Sequence, residues 1–288
     1  MIEKIMKAVK SGNKKRGRNI TVGAVVGMLL SCTAVMGADD NYLWIKEDGG
    51  AIKFNTGVTT DVDGNGGNWS TDNTYTENAW DAATQTYTNN MTLSSSKNNG
   101  NNGYNDISYG FRLSGDLSKF NFINNGLIAT TGNTRYGYGI YNSAVSMETL
   151  TNSGLVVGIS SSSGYGINST KSIEILINNG LVVGTGGFNG YGIYIDYGIS
   201  IGSLINSGLI VGIAGDDRDE SGYGIYQGKN STIKTLTNNG LIVGKSYQAY
   251  GIEIGGKSIE SLTNSGLIAG IRTSGYSGGY GFMLTMLM

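Results

Sequence analysis

The apolar positions of this chain come in short runs of three to five residues, separated by glycine, asparagine and serine. Leu155-Val156-Val157, Leu181-Val182-Val183 and Leu209-Ile210-Val211 are three such runs. They are too short for helices and rich in β-branched residues, so the pattern predicts short strands. Asn-Ser-Gly and Asn-Asn-Gly, which precede the runs, are turn chemistry. Glycine takes φ > 0 without steric cost, and asparagine tolerates the left-handed region while bonding its own backbone.

The pattern then repeats. The block Asn-x-Gly-Leu begins at Asn124, Asn152, Asn178, Asn206, Asn238 and Asn264, with successive spacings of 28, 26, 28, 32 and 26 residues. Tyr-Gly-Ile recurs at Tyr138, Tyr165, Tyr191, Tyr223 and Tyr250, and Tyr-Gly-Phe stands at Tyr109 and Tyr280. A fixed period of this size marks a solenoid. Three short strands and three turns fill one unit, so the expected fold is all-β: a right-handed parallel β-helix with coils of about 26–32 residues. Leucine-rich repeats would need Leu-x-x-Leu-x-Leu and a helical return, whereas these returns are glycine-rich. A propeller blade would be longer, at about 40–45 residues.

Coils of such a fold lie ~4.8 Å apart, so equivalent residues stack. Leu127, Leu155, Leu181, Leu209, Leu241 and Leu267 are therefore expected to form an internal apolar ladder. The six asparagines are expected to form an amide ladder at one bend, and the tyrosines to stack likewise. The chain has no proline, in keeping with backbone N–H groups committed to bonds between coils.

Three segments follow from the pattern: 1–37, 38–105 and 106–288. The middle one does not follow the repeat. It contains all three tryptophans, Trp44, Trp69 and Trp80, and is rich in Asn, Thr, Asp and Gly. It reads as a β-rich cap with an irregular first coil, because an open solenoid end exposes core and unpaired backbone. Asp61-Val62-Asp63-Gly64-Asn65-Gly66 places oxygen ligands at positions 1, 3 and 5 of a calcium loop and glycine at 6, with Asp72 at position 12. Asp61, Asp63, Asn65 and Asp72 are thus a candidate calcium site, the chain's one candidate cofactor. Against it stand Asn68 at the apolar position 8 and the absence of flanking helices; a Gly/Asn turn explains the same residues.

Residues 1–18 carry seven basic groups, and Ile20 to Met36 is uncharged and apolar, ending in Gly37-Ala38 before Asp39-Asp40. A basic stretch, an apolar stretch and small residues make a secretory signal peptide, with cleavage expected after Gly37 or Ala38. Two other readings stay open: an uncleaved anchor, since about 17 apolar residues is the lower limit for spanning, and lipidation of Cys32 after Leu29-Leu30-Ser31. Cys32 is the sole cysteine, so the mature chain has no disulfide. Taking seven basic residues and one acidic residue from totals of 20 and 21 leaves 13 and 20, a net charge of −7. That balance argues against nucleic acid as a partner.

The chain has no histidine. With no mature cysteine either, histidine bases, Ser/His/Asp triads, cysteine nucleophiles and the common zinc sites are all ruled out. Carboxylate catalysis, as in β-helical polysaccharide-degrading enzymes, would have to draw on Glu148, Glu174, Asp196, Glu253 or Glu260. Glu148, Glu174 and Glu260 recur at one place in the repeat, which reads as a solvent-facing row, not as a catalytic pair. Asp216, Asp217, Arg218, Asp219 and Glu220 occupy the longest interval between asparagines. They read as a solvated loop or as a protruding recognition loop, since insertions in solenoids map to one face.

Together the basic leader, the cysteine-free mature region and the Asn-x-Gly-Leu-Ile/Val-x-Gly coils resemble the passenger region of type V autotransporter adhesins of Gram-negative bacteria. The resemblance implies export through the outer membrane, folding outside the cell and non-catalytic adhesion or aggregation at the surface. The implied partners are a host-cell or bacterial surface protein or glycan, and the outer-membrane translocation and assembly machinery. It also implies a C-terminal barrel of alternating strands. Here the repeats run to Tyr280-Gly281-Phe282 without that pattern, so the chain is read as a passenger fragment. A structural surface rod without a specific ligand is the remaining alternative.

Overall fold

A computed structural model describes residues 41–56, 69–72, 75–96, 100–101, 106–115, 119–131, 134–144, 146–255, 258–273 and 279–284. The leader with Cys32, and Asp61, Asp63 and Asn65 of the calcium loop, lie outside the described residues. Within them there is no helix, and the strands form three stacked sheets of a β-solenoid.

Six coils follow one another, each of three strands. They are Phe120–Asn124, Leu127–Thr130 and Tyr136–Asn142; Ser146–Asn152, Leu155–Ile159 and Ser163–Ser169; Ser172–Asn178, Leu181–Thr185 and Asn189–Ile195. The fourth to sixth are Ser200–Asn206, Leu209–Ile213 and Ser221–Gln227; Thr232–Asn238, Leu241–Ser246 and Gln248–Ile254; Ser258–Asn264, Leu267–Arg272 and Tyr280–Leu284. First strands stack on first strands as an asparagine sheet, second strands as a leucine sheet and third strands as a tyrosine sheet. All these pairings are parallel and join like residues, such as Asn152 to Asn178, Leu155 to Leu181 and Tyr165 to Tyr191.

The asparagine ladder is continuous. Each Nδ2 donates to the Oδ1 of the next coil, from Asn124 to Asn152 at 2.8 Å through to Asn238 and Asn264 at 2.7 Å. Asn89 adds a rung before the first, donating to Asn124 at 2.8 Å. All but Asn264 of these side chains are fully buried. A buried amide left without partners would cost about 1–3 kcal/mol, so each rung stabilises its neighbours.

Two details differ from the expectation. The leucine ladder stacks in register, yet it is not part of the main core. Val156, Val182, Ile210 and Ile242, each one residue later, enter that core with Leu150, Leu176, Ile167 and Ile193. Leu155, Leu181 and Leu209 join Val157, Val183 and Val211 in a separate cluster. Neighbouring residues of a strand point to opposite faces, so this cluster, itself buried, lies on the face of the leucine sheet turned away from the main core. The turn glycines also differ. Positive φ among described glycines occurs at Gly49, Gly50, Gly115 and Gly198, outside the Asn-x-Gly turns. At Gly180 a Cβ would overlap the Gly154 carbonyl oxygen and approach the Ser153 carbonyl carbon to 2.8 Å. Close approach of successive coils, not a left-handed turn, excludes a side chain there.

At the N-terminal end, Thr86–Asn89, Thr92–Ser95 and Asp106–Ser114 form an irregular coil beneath the first regular one. Leu43–Asp48 lies parallel on Asp106–Ser114 and turns back antiparallel through Ala51–Thr56. Leu43, Ile45 and Phe54 are buried in the main core. Trp80 stacks on Phe120 with ring centroids 5.8 Å apart, and Phe111 on Phe122 at 3.9 Å. Aromatic rings thus fill the N-terminal end of the core before the regular aliphatic ladders begin.

Candidate functional site

The outer face of the tyrosine sheet carries the chain's most distinctive surface. Within each strand Tyr165, or its equivalent, points outward. The next two residues turn inward: a Cβ on Gly166 would meet Val182 Cγ1 at 2.6 Å, and Ile167 is fully buried in the core. The residue after them faces outward again. Each coil therefore offers two outward positions, three residues apart, and stacking turns them into two columns.

The first column is Tyr109, Tyr138, Tyr165, Tyr191, Tyr223, Tyr250 and Tyr280, paired in register throughout. Successive ring centroids lie 5.3, 4.7, 4.9, 5.0, 5.2 and 5.6 Å apart, with planes within 17° of parallel. The second column is Arg112, Tyr141, Asn168, Tyr194, Tyr226 and Glu253. Tyr194 and Tyr226 stack at 5.2 Å and meet Tyr191 and Tyr223 edge-on at 5.0 and 5.2 Å. In the middle of the face these four rings form a herringbone quartet. Within each column ring faces are turned to one another, and between columns rings meet face to edge.

Burial pushes the phenols of this face up. Tyr109 and Tyr165 are raised from 10.0 to about 12, chiefly by loss of solvent, and Tyr138, Tyr191, Tyr194 and Tyr223 lie above the usual range for the same reason. Below pH 10 these groups keep their protons in both folded and unfolded chain, and stability is unaffected. From about pH 10 to 12 the unfolded chain loses protons that the folded chain retains, so stability falls as pH rises. Urea midpoints are expected to be level up to pH ~9.5 and to drop steeply by pH ~11.5. Ultraviolet absorbance at pH ~11 should show fewer phenolates in the folded chain than in the urea-unfolded chain, because the buried column keeps its protons. Equal phenolate in the folded and unfolded chain would contradict the stacking.

Charged and exposed groups frame the quartet. Asp196 follows the third-coil strand, and its Oδ1 accepts from Tyr197 N at 2.7 Å. Glu253 occupies the second column directly after Tyr226, half-buried, with its carboxyl raised by desolvation. Among the described residues its carboxylate forms no ion pair and no hydrogen bond. Phe188 and Tyr197, before and after the third-coil strand, are 57% and 61% exposed. The acidic loop 216–220 leads into the fourth-coil strand. Its turn is closed by Asp217 N donating to Glu220 Oε2 at 2.7 Å, and Gln248 Nε2 donates to the Arg218 carbonyl at 2.7 Å. Comparisons with protein-family models, with curated proteins and with solved structures find no match.

The carboxylates named from sequence separate into two groups. Asp196 and Glu253 belong to the tyrosine face. Glu148 and Glu174 are exposed on the asparagine sheet and line a groove of ≈ 640 Å³ with Lys119, Lys234, Ser172 and Gly202. Gly202 holds the place between Glu174 and Lys234 in that row, which leaves the groove open; Glu260 continues the row, exposed, outside the groove. Of the calcium candidates only Asp72 is described; it is exposed, and its N–H donates to Ser70 Oγ at 3.0 Å. No cluster of three or more metal-ligating side chains occurs among the described residues. Sequence reasoning did not single out the second column. Its signal was the four-residue string Tyr-Gly-Ile-Tyr at Tyr138, Tyr191 and Tyr223.

Proposed function

We propose that the chain is an exported, non-catalytic recognition rod, the passenger portion of an autotransporter-type adhesin. On this reading the rod presents its tyrosine face to a protein or glycan on a host-cell or bacterial surface. The observation that carries it is the two-column tyrosine array on an outer face, flanked by exposed Phe188 and Tyr197. Tyrosine gives a rigid, amphipathic contact surface at low entropic cost and is enriched where proteins bind one another. Stacked coils repeat that surface along the rod, so weak contacts add through multivalency. The basic leader and the cysteine-free repeats support export.

The test is binding of the fluorescently labelled chain to epithelial and bacterial cells, with Phe188→Ser/Tyr197→Ser as the variant. Both side chains are more than half exposed, so folding is expected to be preserved. A loss of about tenfold or more in cell binding, with an unchanged melting curve, is expected. Undiminished binding would overturn this face as the recognition surface.

A second reading, cleavage of an extracellular polysaccharide, draws on the groove of the asparagine sheet. Glu148 and Glu174 sit in adjacent coils and line the groove together, and a pair of carboxyls flanking the scissile bond is what glycoside hydrolysis needs. Release of reducing sugar that Glu174→Gln abolishes would favour it over the rod.

A further inference from the structure

The tyrosine face carries carboxylates that it does not neutralise. Glu253 takes the place of a tyrosine in the second column, against Tyr223, Tyr226 and Tyr250. Half-buried and without ion pair or hydrogen bond among the described residues, it bears a desolvation cost that the chain leaves uncompensated. Asp196 lies near enough to Tyr165, Tyr194 and Tyr226 to disfavour their ionisation. On the opposite edge of the same strands stands the loop with Asp216, Asp217, Asp219 and Glu220. Cations beside this area include Arg218 within that loop, Lys171 and Lys229 in the turns after the second- and fourth-coil strands, and Arg272, which lies over the Tyr247 ring at 4.4 Å. The middle of the face is therefore aromatic, partly desolvated and acidic on both edges.

The chain's own aromatic rings accept cations of both kinds, and Lys46 lies over the Trp69 ring at 4.4 Å. At the N-terminal end of the second column, in register with Tyr141, Arg112 lies 4.9 Å from the Trp44 ring and 5.1 Å from the Tyr109 ring. Arg135 lies over Tyr136 at 5.6 Å. Three of the four described arginines, Arg112, Arg135 and Arg272, thus rest on aromatic rings, at distances where cation–π attraction is felt. A guanidinium also pairs with a carboxylate through two parallel hydrogen bonds, which an ammonium cannot do.

We propose that the tyrosine face between the third and fifth coils docks an arginine-bearing protein segment, with guanidinium groups on Glu253 and Asp196 and their stems along the Tyr191–Tyr194–Tyr223–Tyr226 quartet. The proposal rests on the recognition reading above and narrows it to one partner chemistry. It makes the unpaired carboxylate a recognition element: the cost of burying Glu253 in the free rod is recovered when the partner binds. Shape and aromatic contact set affinity, and the carboxylates set the sign of charge that is accepted.

The test uses the purified chain and a fluorescein-labelled twelve-residue peptide of alternating arginine and serine, followed by anisotropy at low and high salt. Lysine-serine and glutamate-serine peptides of the same length and a chitosan oligomer are run alongside. The arginine peptide is expected to bind several-fold more tightly than the lysine peptide, and the glutamate peptide not at all. Asp196→Asn/Glu253→Gln should weaken arginine-peptide binding tenfold or more. Glu148→Gln/Glu174→Gln, which removes the same charge from the other sheet, should leave it within about twofold. Equal losses in the two double variants would show attraction to net charge alone and overturn the proposal. Binding of the chitosan oligomer without the arginine peptide would overturn it in favour of a cationic glycan. Cell binding that responds to Phe188→Ser/Tyr197→Ser but not to Asp196→Asn/Glu253→Gln would preserve the recognition rod while removing its arginine-bearing partner. Should the double variant melt early, Glu253→Gln alone, which forfeits no described contact, carries the same comparison.

Discussion

Replacing Asn178 with alanine is expected to destabilise the solenoid by roughly 2–6 kcal/mol. Asn178 accepts from Asn152 Nδ2 at 2.9 Å and donates to Asn206 Oδ1 at 2.8 Å, in a row closed to solvent. Its Nδ2 also lies 3.3 Å from the Leu209 carbonyl. Truncation takes the amide partner from Asn152 Nδ2, which keeps only the Leu181 carbonyl at 3.3 Å, and from Asn206 Oδ1, in a site where water is excluded. Each loss costs about 1–3 kcal/mol, and the two costs fall on adjacent coils. Because coils contact only their neighbours, the ladder is cut into two shorter stacks. Urea unfolding followed by circular dichroism should show a lowered midpoint and a broadened or split transition. Asn179→Ala, one residue on and exposed, should stay within ~0.5 kcal/mol of the parent. Asn178→Asp makes a sharper comparison. Ionised aspartate can accept from Asn152 but presents a second acceptor to Asn206 Oδ1, so at neutral pH it should be no more stable than the alanine variant. Equal midpoints for Asn178→Ala and Asn179→Ala would contradict a stabilising amide ladder.

Gly184→Ala is expected to cost more than about 4 kcal/mol, beyond the range of ordinary substitutions, and to prevent the third coil from closing. An alanine Cβ there would overlap the Tyr191 carbonyl oxygen and stand 2.5 Å from its carbon and 2.6 Å from the Gly164 carbonyl oxygen. All three are main-chain atoms, so no rotamer change relieves them; the leucine and tyrosine sheets would have to part. Gly158 and Gly212 meet Tyr165 and Tyr223 in the same way in the coils on either side. Parting the sheets at Gly184 would also loosen the packing of Val182 on Gly166, where the tyrosine face is anchored from beneath. Gly255→Ala is the control: its nearest neighbour, the Gln227 carbonyl oxygen, is at 3.2 Å, and a cost within ~1 kcal/mol is expected. Thermal melts of the two variants should differ widely. Similar melts would contradict the close approach of the two sheets.

Much of this architecture is legible in the sequence because stacking copies a chemical need from coil to coil. A buried amide needs the next amide, so asparagine recurs, and its spacing reports the coil length directly. Tyrosine recurs for a related reason, since each ring covers the face of the next. That the leucine column packs in a buried cluster apart from the main core is not legible, because Leu-Val-Val-Gly is apolar on both faces of its strand. Alternation tells which residues share a face, but polarity must tell which face is inside, and here both are apolar. The turn glycines were assigned a left-handed backbone for a similar reason. A glycine demanded by close packing and one demanded by positive φ are the same letter. Asp196 and Glu253 could be named as carboxylates, but their meeting at one aromatic face depends on which strand positions turn outward. That follows from the paired inward turn of Gly and Ile, which strict alternation does not anticipate.

The central claim is that like positions of successive coils lie one above another, since both the ladders and the tyrosine face depend on it. Spin-label distances test it most directly. With Cys32 replaced by serine, cysteines are introduced for labelling at Glu260 together with Lys234, Glu174 or Glu148, which occupy one exposed row of the asparagine sheet. The account predicts backbone separations of ~5, ~14 and ~19 Å, for one, three and four coils at ~4.8 Å each. Distances that do not grow in proportion to the number of coils would contradict it.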